Sequence, residues 1–169
     1  MITYYTKEGK STCADIYHVS FNRLHRLDGP AVELENYSKA WYVNGKRHRL
    51  DGPAVIDKRG KFWYQKGNLH REDGPAIEWK NNSKEWFKNG VRHRNNKPAL
   101  IFNNGTKEWY VNGKFHRLSG PAIIWNNGYK GWYINGKKLN TNEVETWINN
   151  NNINLKTKEH QALFMLRFR

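Results

Sequence analysis

The chain has 169 residues, 29 Lys and Arg against 15 Asp and Glu, and a formal net charge of +14. Only 37% of the residues are hydrophobic, but eight Trp, nine Tyr and seven Phe favour an ordered single domain over a disordered basic tail. One cysteine excludes an internal disulfide, and the chain shows neither a signal peptide nor the run of ~20 apolar residues that a membrane span needs. We therefore expect a non-secreted, intracellular protein.

A repeat of 22 or 23 residues organises the chain. The tripeptide Asp-Gly-Pro, intact or altered, carries all five prolines: Pro30, Pro53, Pro75, Pro98 and Pro121. A tryptophan keeps the same spacing, at Trp41, Trp63, Trp86, Trp109 and Trp132. So does a histidine, at His25, His48, His70, His93 and His116. Three residue types in phase over five copies indicate a repeat protein.

In chain order, residues 1–22 are predicted to form a degenerate first hairpin, because stepping back 23 residues from Gly45 reaches Asn22, which tolerates a left-handed turn. Residues 23–140 are predicted to form five β-hairpin repeats. Each repeat has two short β-branched and aromatic segments, joined by a turn such as the Asn-Asn-Gly that begins at Asn103. An Asn-Gly turn follows in most copies, and the glycine before each proline is expected to permit a sharp reversal.

Strand alternation assigns the faces of the sheet. The position two residues after each proline is always aliphatic. The position four residues after it is Asp57 in the second copy and apolar in the other four, at Leu34, Trp79, Phe102 and Trp125. Because these positions share a face, we expect them to form the core side. Each repeat Trp is followed by a second aromatic residue, and adjacent residues of a strand point to opposite faces of the sheet. We therefore expect a half-exposed row of aromatic residues on the other face.

After Asn140 the pattern becomes helical. Residues 141–152 carry Val144, Trp147 and Ile148 at helical spacing, and Thr157 can cap a second helix. We expect residues 141–169 to form a helical cap, with a homodimer contact through this segment or a sheet edge as the alternative. The predicted fold is an all-β repeat, an elongated antiparallel meander of about six stacked β-hairpins with a C-terminal helical cap.

The repeat Trp-Tyr-x-Asn-Gly-Lys-x-His-Arg-x-Asp-Gly-Pro-Ala resembles the variant MORN-type repeats of phages, bacteria and large DNA viruses, over residues 21–140. The abundance of Asn and Lys is most similar to copies in giant viruses of amoebae, such as the Marseillevirus group. This resemblance implies an elongated sheet of hairpins that acts as a scaffold, dimerises and binds other proteins or acidic lipids. A viral member would be located in the host cytoplasm or the virion.

The basic excess is uneven along the chain. Residues 86–140 hold ten basic residues and one acidic residue, Glu108. The Asp of Asp-Gly-Pro is retained in the first three copies and becomes Asn96 and Ser119 in the last two. We therefore expect the C-terminal half of the repeat array to present a basic surface.

Two basic positions are periodic: a lysine two residues before each repeat Trp, on the same face, and an arginine after each repeat His. Equivalent residues lie about 10 Å apart, near the Debye length, so such rows can attract a polyanion, and neighbouring aromatics can stack on bases. The alternatives are lysine stems that cover Trp and arginines that pair with Asp. The candidate anion- or nucleic-acid-binding residues are Lys39, Lys61, Lys84, Lys107, Lys130, Arg92, Arg94, Lys97, Lys114, Arg117, Lys137 and Lys138.

No catalytic, cofactor-binding or metal-binding residues are predicted. Histidines spaced about 10 Å apart cannot converge on one ion, so each is expected to bond backbone groups in a turn. The non-periodic Cys13, His18 and His160 form no recognisable constellation.

These features predict a non-catalytic scaffold whose basic surface binds nucleic acid, above all DNA, or another polyanion with little sequence specificity. A protein–protein interaction module and adhesion to an acidic membrane are the alternatives.

Overall fold

The computed structural model describes residues 1–14, 19–36 and 38–169. The chain forms two compact units, Met1–Gly90 (unit 1) and Val91–Arg169 (unit 2). Among the described residues, no helix is both long and apolar enough to cross a membrane.

The strands of unit 1 are β1 (Ile2–Thr6), β2 (Gly9–Cys13), β3 (Val32–Leu34), β4 (Lys39–Ala40), β5 (Tyr42–Val43), β6 (Lys46–Arg47), β7 (Val55–Asp57), β8 (Gly60–Phe62), β9 (Tyr64–Gln65), β10 (Asn68–Leu69), β11 (Ile77–Trp79), β12 (Lys84–Glu85) and β13 (Phe87–Lys88). Unit 2 contains β14 (Val91–Arg92), β15 (Leu100–Ile101), β16 (Lys107–Glu108), β17 (Tyr110–Val111), β18 (Lys114–Phe115), β19 (Ile123–Ile124), β20 (Lys130–Gly131), β21 (Tyr133–Ile134), β22 (Lys137–Lys138), α1 (Thr141–Asn150) and α2 (Lys158–Phe168).

Each repeat contributes a hairpin to an antiparallel meander. In unit 1 the strand order is β2-β1-β3-β4-β7-β8-β11-β12, and in unit 2 it is β15-β16-β19-β20. The register keeps equivalent residues opposite one another, so Val55 faces Phe62, which in turn faces Ile77. The predicted fold class, an antiparallel β-hairpin repeat with a C-terminal helical segment, is confirmed.

A second, shorter hairpin follows the first in the repeats, where the sequence predicted only a connecting turn. Tyr42 pairs with Arg47 across the turn Asn44-Gly45, whose φ angles are 49° and 73°. Two consecutive positive φ angles make the tight turn that Asn-Gly predicts, and Lys66 adopts the same conformation with φ 50°. The two hairpins separate at the repeat Trp, because the Trp41 N–H bonds to the Ala54 carbonyl and the Trp41 carbonyl accepts from His48.

The prediction that one face of the sheet forms the core is confirmed for the residue two after each proline. It is wrong in two repeats for the residue four after the proline. The residue two after each proline is buried: Val32, Val55, Ile77, Leu100 and Ile123. Phe102 and Trp125, two residues further on, were expected in the core but are 37% and 38% exposed. They lie where the strand ends and the Asn-Asn-Gly turn begins, so the hairpin tip does not cover them.

Strands β1 and β2 pair as a hairpin within residues 1–22, but the rest of the first copy differs from the prediction. Asn22 does not form a left-handed turn; it lies in a short 3-10 helix, Phe21–Arg23, and is not among the residues of positive φ. Tyr5 takes the place of the repeat Trp, since its N–H bonds to the Ala31 carbonyl and its carbonyl accepts from His25. An insertion between Tyr5 and His25 shifts the period, which is why counting back by 23 residues failed.

The two C-terminal helices pack against the last repeat within unit 2. Asn140 and Thr157 cap them, each accepting a backbone N–H three residues on. Their apolar side chains share one core with the last repeat: Trp132, Ile134, Leu139, Val144, Leu155, Phe164 and Phe168. The Thr141 hydroxyl bonds to the Lys130 carbonyl at 3.4 Å, so the start of α1 lies against the outer strand β20.

Candidate anion-binding site

The arginine that follows each repeat His is held in place by its own turn. In Arg26, Arg49 and Arg71 the Nε atom donates to the Asp two residues on, at 3.0, 2.9 and 2.9 Å. The Nη1 atom donates to the carbonyl of the proline four residues on. The guanidinium also lies over the aromatic ring of the preceding strand, 4.1 Å from the ring centre of Trp41 for Arg49 and of Trp63 for Arg71. The predicted pairing of these three arginines with Asp is confirmed.

The glycine of Asp-Gly-Pro has a different role from the one predicted. Gly29, Gly52 and Gly74 are not among the residues of positive φ, so no left-handed reversal requires them. A β-carbon at these positions would instead lie 2.8 to 3.0 Å from the Cζ atom of the turn's arginine. The glycine is therefore needed for the close approach of the guanidinium.

The last two turns keep the arginine and lose the acid. Arg117 lies 3.9 Å above Trp109 and donates to the Pro121 carbonyl at 3.2 Å, but its Nε atom meets the Ser119 hydroxyl at 3.2 Å in place of a carboxylate. Arg94 likewise donates to the Pro98 carbonyl, at 3.1 Å. In that turn Lys97 stands where glycine stands elsewhere, and Asn96 before it takes a positive φ of 58°.

These two sets of turns differ in their electrostatics. The hydrogen bond from arginine holds the pKa of Asp28, Asp51 and Asp73 below its usual range. Burial lowers the pKa of Arg94 and of Arg117. The guanidinium of Arg117 thus carries an unfavourable desolvation, and no carboxylate of the described residues offsets it.

Each repeat histidine is a turn residue, as predicted. The Nδ1 atom accepts the backbone N–H of the first residue of the next Asn-Gly or Lys-Gly turn, for all five rings at 3.1 to 3.2 Å: His25, His48, His70, His93 and His116. Such a bond requires Nδ1 to be unprotonated. Burial also lowers the pKa of His116.

The periodic lysines are exposed, and their neighbours across the sheet differ between the units. In unit 1, Lys39 faces Glu33, while Lys61 and Lys84 both face Glu78. In unit 2, Lys107 faces Ile101 and Ile124, and Lys130 faces Ile124. We name these four residues of unit 2 the lysine face. The cross-strand neighbours of the lysines in the lysine face are both isoleucines. The corresponding neighbours in unit 1 are Glu33, Ile56 and Glu78, so two of these three residues are glutamates.

The other candidate residues are scattered over unit 2. Lys97, Lys114, Lys137 and Lys138 are exposed, whereas Arg92, Arg94 and Arg117 are partly buried. Arg92 lies 5.6 Å from the ring centre of Tyr110. Lys130 forms an ion pair with Glu145 of α1 at 3.1 Å, and the Lys137 ammonium bonds to the Arg169 carbonyl at 3.3 Å.

Base stacking on the repeat tryptophans of unit 2 is excluded. Trp109 and Trp132 are only 7% and 5% exposed, and Arg117 covers the ring of Trp109. The exposed aromatic residues of unit 2 are instead Phe102, Trp125 and Tyr129, near the hairpin tips. The sequence could not show that arginines from the next turn stack on the repeat tryptophans.

A groove between successive Asp-Gly-Pro turns is present in both units. In unit 1 it has a volume of about 520 Å³, and its lining includes Arg49, Arg71, Asp51, Glu72 and Asp73. In unit 2 the equivalent groove, about 150 Å³, is lined by Arg94, Asn95, Asn96, Trp109, Val111, His116, Arg117, Leu118, Ser119 and Gln161. We name this second groove the turn groove of unit 2. Of the described residues that line it, two are arginines and none carries a carboxylate.

Of the remaining candidates, His18 lies outside the described residues, Cys13 is partly buried in β2, and the Nδ1 atom of His160 accepts the Asn154 N–H at 2.8 Å. Among the described residues, no three His, Cys, Asp or Glu side chains converge on a common point where a metal could bind. Comparisons of the chain with protein-family models, curated proteins and solved structures found no match.

Proposed function

We propose that the chain is a non-catalytic β-hairpin scaffold of the MORN type, and that unit 2 binds the phosphate backbone of nucleic acid through its lysine face. Unit 2 holds 13 basic residues against four acidic ones, whereas unit 1 holds 16 against 11. An uncompensated basic surface attracts a polyanion by displacing its counterions, whatever the base sequence.

The observation that carries this proposal is the cross-strand register. Glu33 and Glu78 stand beside the lysines of unit 1 and reduce the local positive potential there. The two isoleucines beside Lys107 are uncharged, so they do not reduce the positive potential around that lysine. Because the repeat Trp rings of unit 2 are buried, the contact proposed is with phosphates and not with bases, and duplex DNA is the expected ligand.

A salt series with a matched pair of lysine variants tests this proposal. Fluorescence anisotropy of a labelled DNA duplex should show affinity falling linearly with salt on a logarithmic scale. Lys107→Ala should weaken binding and reduce the slope by about 0.9, the value for one phosphate contact. Lys61→Ala removes the same side chain beside Glu78 and should have a smaller effect. Affinity that does not depend on salt, or an equal effect of both substitutions, would contradict the proposal.

A second candidate function is protein binding at the hairpin tips of unit 2. Trp125 is 38% exposed and Tyr129 is 75% exposed, and aromatic side chains with this exposure are typical of contact surfaces. A partner retained by the wild type after nuclease treatment and lost on Trp125→Ala with Tyr129→Ala would support this function. A partner released by nuclease would speak for nucleic acid instead.

A further inference from the structure

We propose that the turn groove of unit 2 binds a carboxylate group of another molecule at the guanidinium of Arg117. This site is distinct from the lysine face and does not depend on nucleic acid binding. The carboxylate would belong to a free small carboxylate ion or to an acidic side chain of a partner protein.

Three equivalent turns already hold a carboxylate at this place. The Nε atoms of Arg26, Arg49 and Arg71 each donate to an Asp oxygen at 2.9 to 3.0 Å. Those Asp side chains are 81% to 84% exposed, so the carboxylate approaches the guanidinium from the solvent side. A carboxylate from another molecule can therefore reach the corresponding place in the fifth turn.

The guanidinium of Arg117 is already oriented to receive a carboxylate. Trp109 lies beneath the guanidinium at 3.9 Å, and the Pro121 carbonyl accepts from Nη1 at 3.2 Å. On the Nε side Ser119 presents a hydroxyl at 3.2 Å. The fifth turn differs further in that Gly120 takes a φ of 151° and that Ile124 stands where Glu78 bonds to Arg71 in the third. The Nε–H already donates to the Ser119 hydroxyl, so an incoming carboxylate takes its place after rotation of the Ser119 side chain. The ligand then forms a charge-assisted hydrogen bond with Nε in place of the neutral one.

The chemistry of the turn groove also favours a carboxylate. Its lining adds the amides of Asn95, Asn96 and Gln161 to the arginines, and it lacks the three acids found in the equivalent groove of unit 1. The Gln161 amide nitrogen donates to the Leu155 carbonyl at 2.9 Å, which fixes α2 at the rim. A carboxylate bound here would offset the desolvation of Arg117, which is reflected in its lowered pKa.

The test follows the Nε–H signals of arginine in the full-length, 15N-labelled protein by NMR. Titration with acetate at constant ionic strength should shift the Arg117 signal to saturation, while chloride at the same concentration should not. The signals of Arg49 and Arg71 should not move, because Asp51 and Asp73 occupy their sites. A peptide with one Asp side chain, titrated in parallel, distinguishes the two sources, and saturation by either ligand supports the site.

Two substitutions make the test reciprocal. Ser119→Asp supplies the missing carboxylate within the turn and should weaken acetate binding by about tenfold or more. Asp51→Ser creates the fifth-turn arrangement at Arg49 and should make the Arg49 signal respond to acetate. The proposal is overturned if chloride or phosphate shifts Arg117 as acetate does, if Ser119→Asp leaves the response unchanged, or if neither ligand saturates it.

Discussion

Arg71 and Gly74 are in such close contact that a β-carbon on the glycine would lie 2.8 Å from the guanidinium carbon of the arginine. The same guanidinium lies over Trp63 at 4.1 Å and bonds to Asp73 and to the Pro75 carbonyl. The Asp-Gly-Pro motif therefore binds the arginine that precedes it. The Asp supplies a carboxylate, the Gly leaves space for the guanidinium, and the Pro supplies a carbonyl acceptor.

Substitution of Gly74 by alanine should destabilise the protein by about 1 kcal/mol, because the added methyl group meets the movable end of the Arg71 side chain and not backbone. The physical reason is displacement of Arg71, which then loses its contacts with Asp73 and Trp63. Urea unfolding measures the change in the free energy of unfolding.

The control for this prediction is a double-mutant cycle with Arg71→Ala. Without the guanidinium the added methyl group has space, so Gly74→Ala should cost much less in that background, with a coupling of about 0.5 kcal/mol or more. Additive costs in the double mutant would show that the glycine serves the backbone and not the arginine.

Acidification should destabilise the protein through His116. Its Nδ1 atom accepts the Asn135 N–H at 3.1 Å, and burial lowers its pKa below the ordinary value of 6.5. The folded state thus binds fewer protons than the unfolded state, so the stability is fully present above pH 6.5 and is lost as the pH falls below it. The urea midpoint should decrease between pH 7.5 and 5.5, within the general range where histidine titrates.

The lowered pKa values of Asp28, Asp51 and Asp73 keep those carboxylates charged over this range, so they do not contribute to the loss. His116→Gln should show a smaller decrease than the wild type. Superimposable pH profiles of the two proteins would rule out His116 as a source of the effect.

Phe164 anchors the helical segment to the last repeat. It is fully buried and contacts Trp132, Trp147 and Phe168 at ring-centre distances of 5.7, 6.2 and 5.1 Å. Phe164→Ala should therefore lower the free energy of unfolding by about 3–5 kcal/mol. Leu166, in the same helix, is 82% exposed, and Leu166→Ala should change it by less than about 0.5 kcal/mol. Equal effects would mean that α2 does not pack as the structure has it.

The features that the sequence predicted are local or strictly periodic. Asn-Gly specifies positive φ angles by its own chemistry, and Thr157 caps α2 through a bond to a residue three positions away. The histidine role followed from its regular spacing, because a row of rings cannot share a metal ion.

The features that the sequence missed depend on contacts across repeats or on a break in the period. The role of Gly74 is visible only once the Arg71 side chain is placed on Trp63. Tyr5 was not recognised as a repeat aromatic, because an insertion separates it from His25. The sequence predicted the turn groove only in part. The replacement of Asp by Asn96 and Ser119 indicated it, whereas the position of Gln161 of α2 at the groove could not be predicted.

The central claim, that the lysine face of unit 2 binds nucleic acid, is tested most directly by two matched substitutions. Ile124 faces Lys107 and Lys130 in unit 2, and Ile56 faces Lys39 and Lys61 in unit 1. Ile124→Glu and Ile56→Glu each add one negative charge beside two lysines of the repeat row. Measured by anisotropy with the same DNA duplex at low salt, Ile124→Glu should weaken binding by about tenfold and Ile56→Glu by much less. Equal losses, or a greater loss for Ile56→Glu, would contradict the assignment of nucleic acid binding to unit 2.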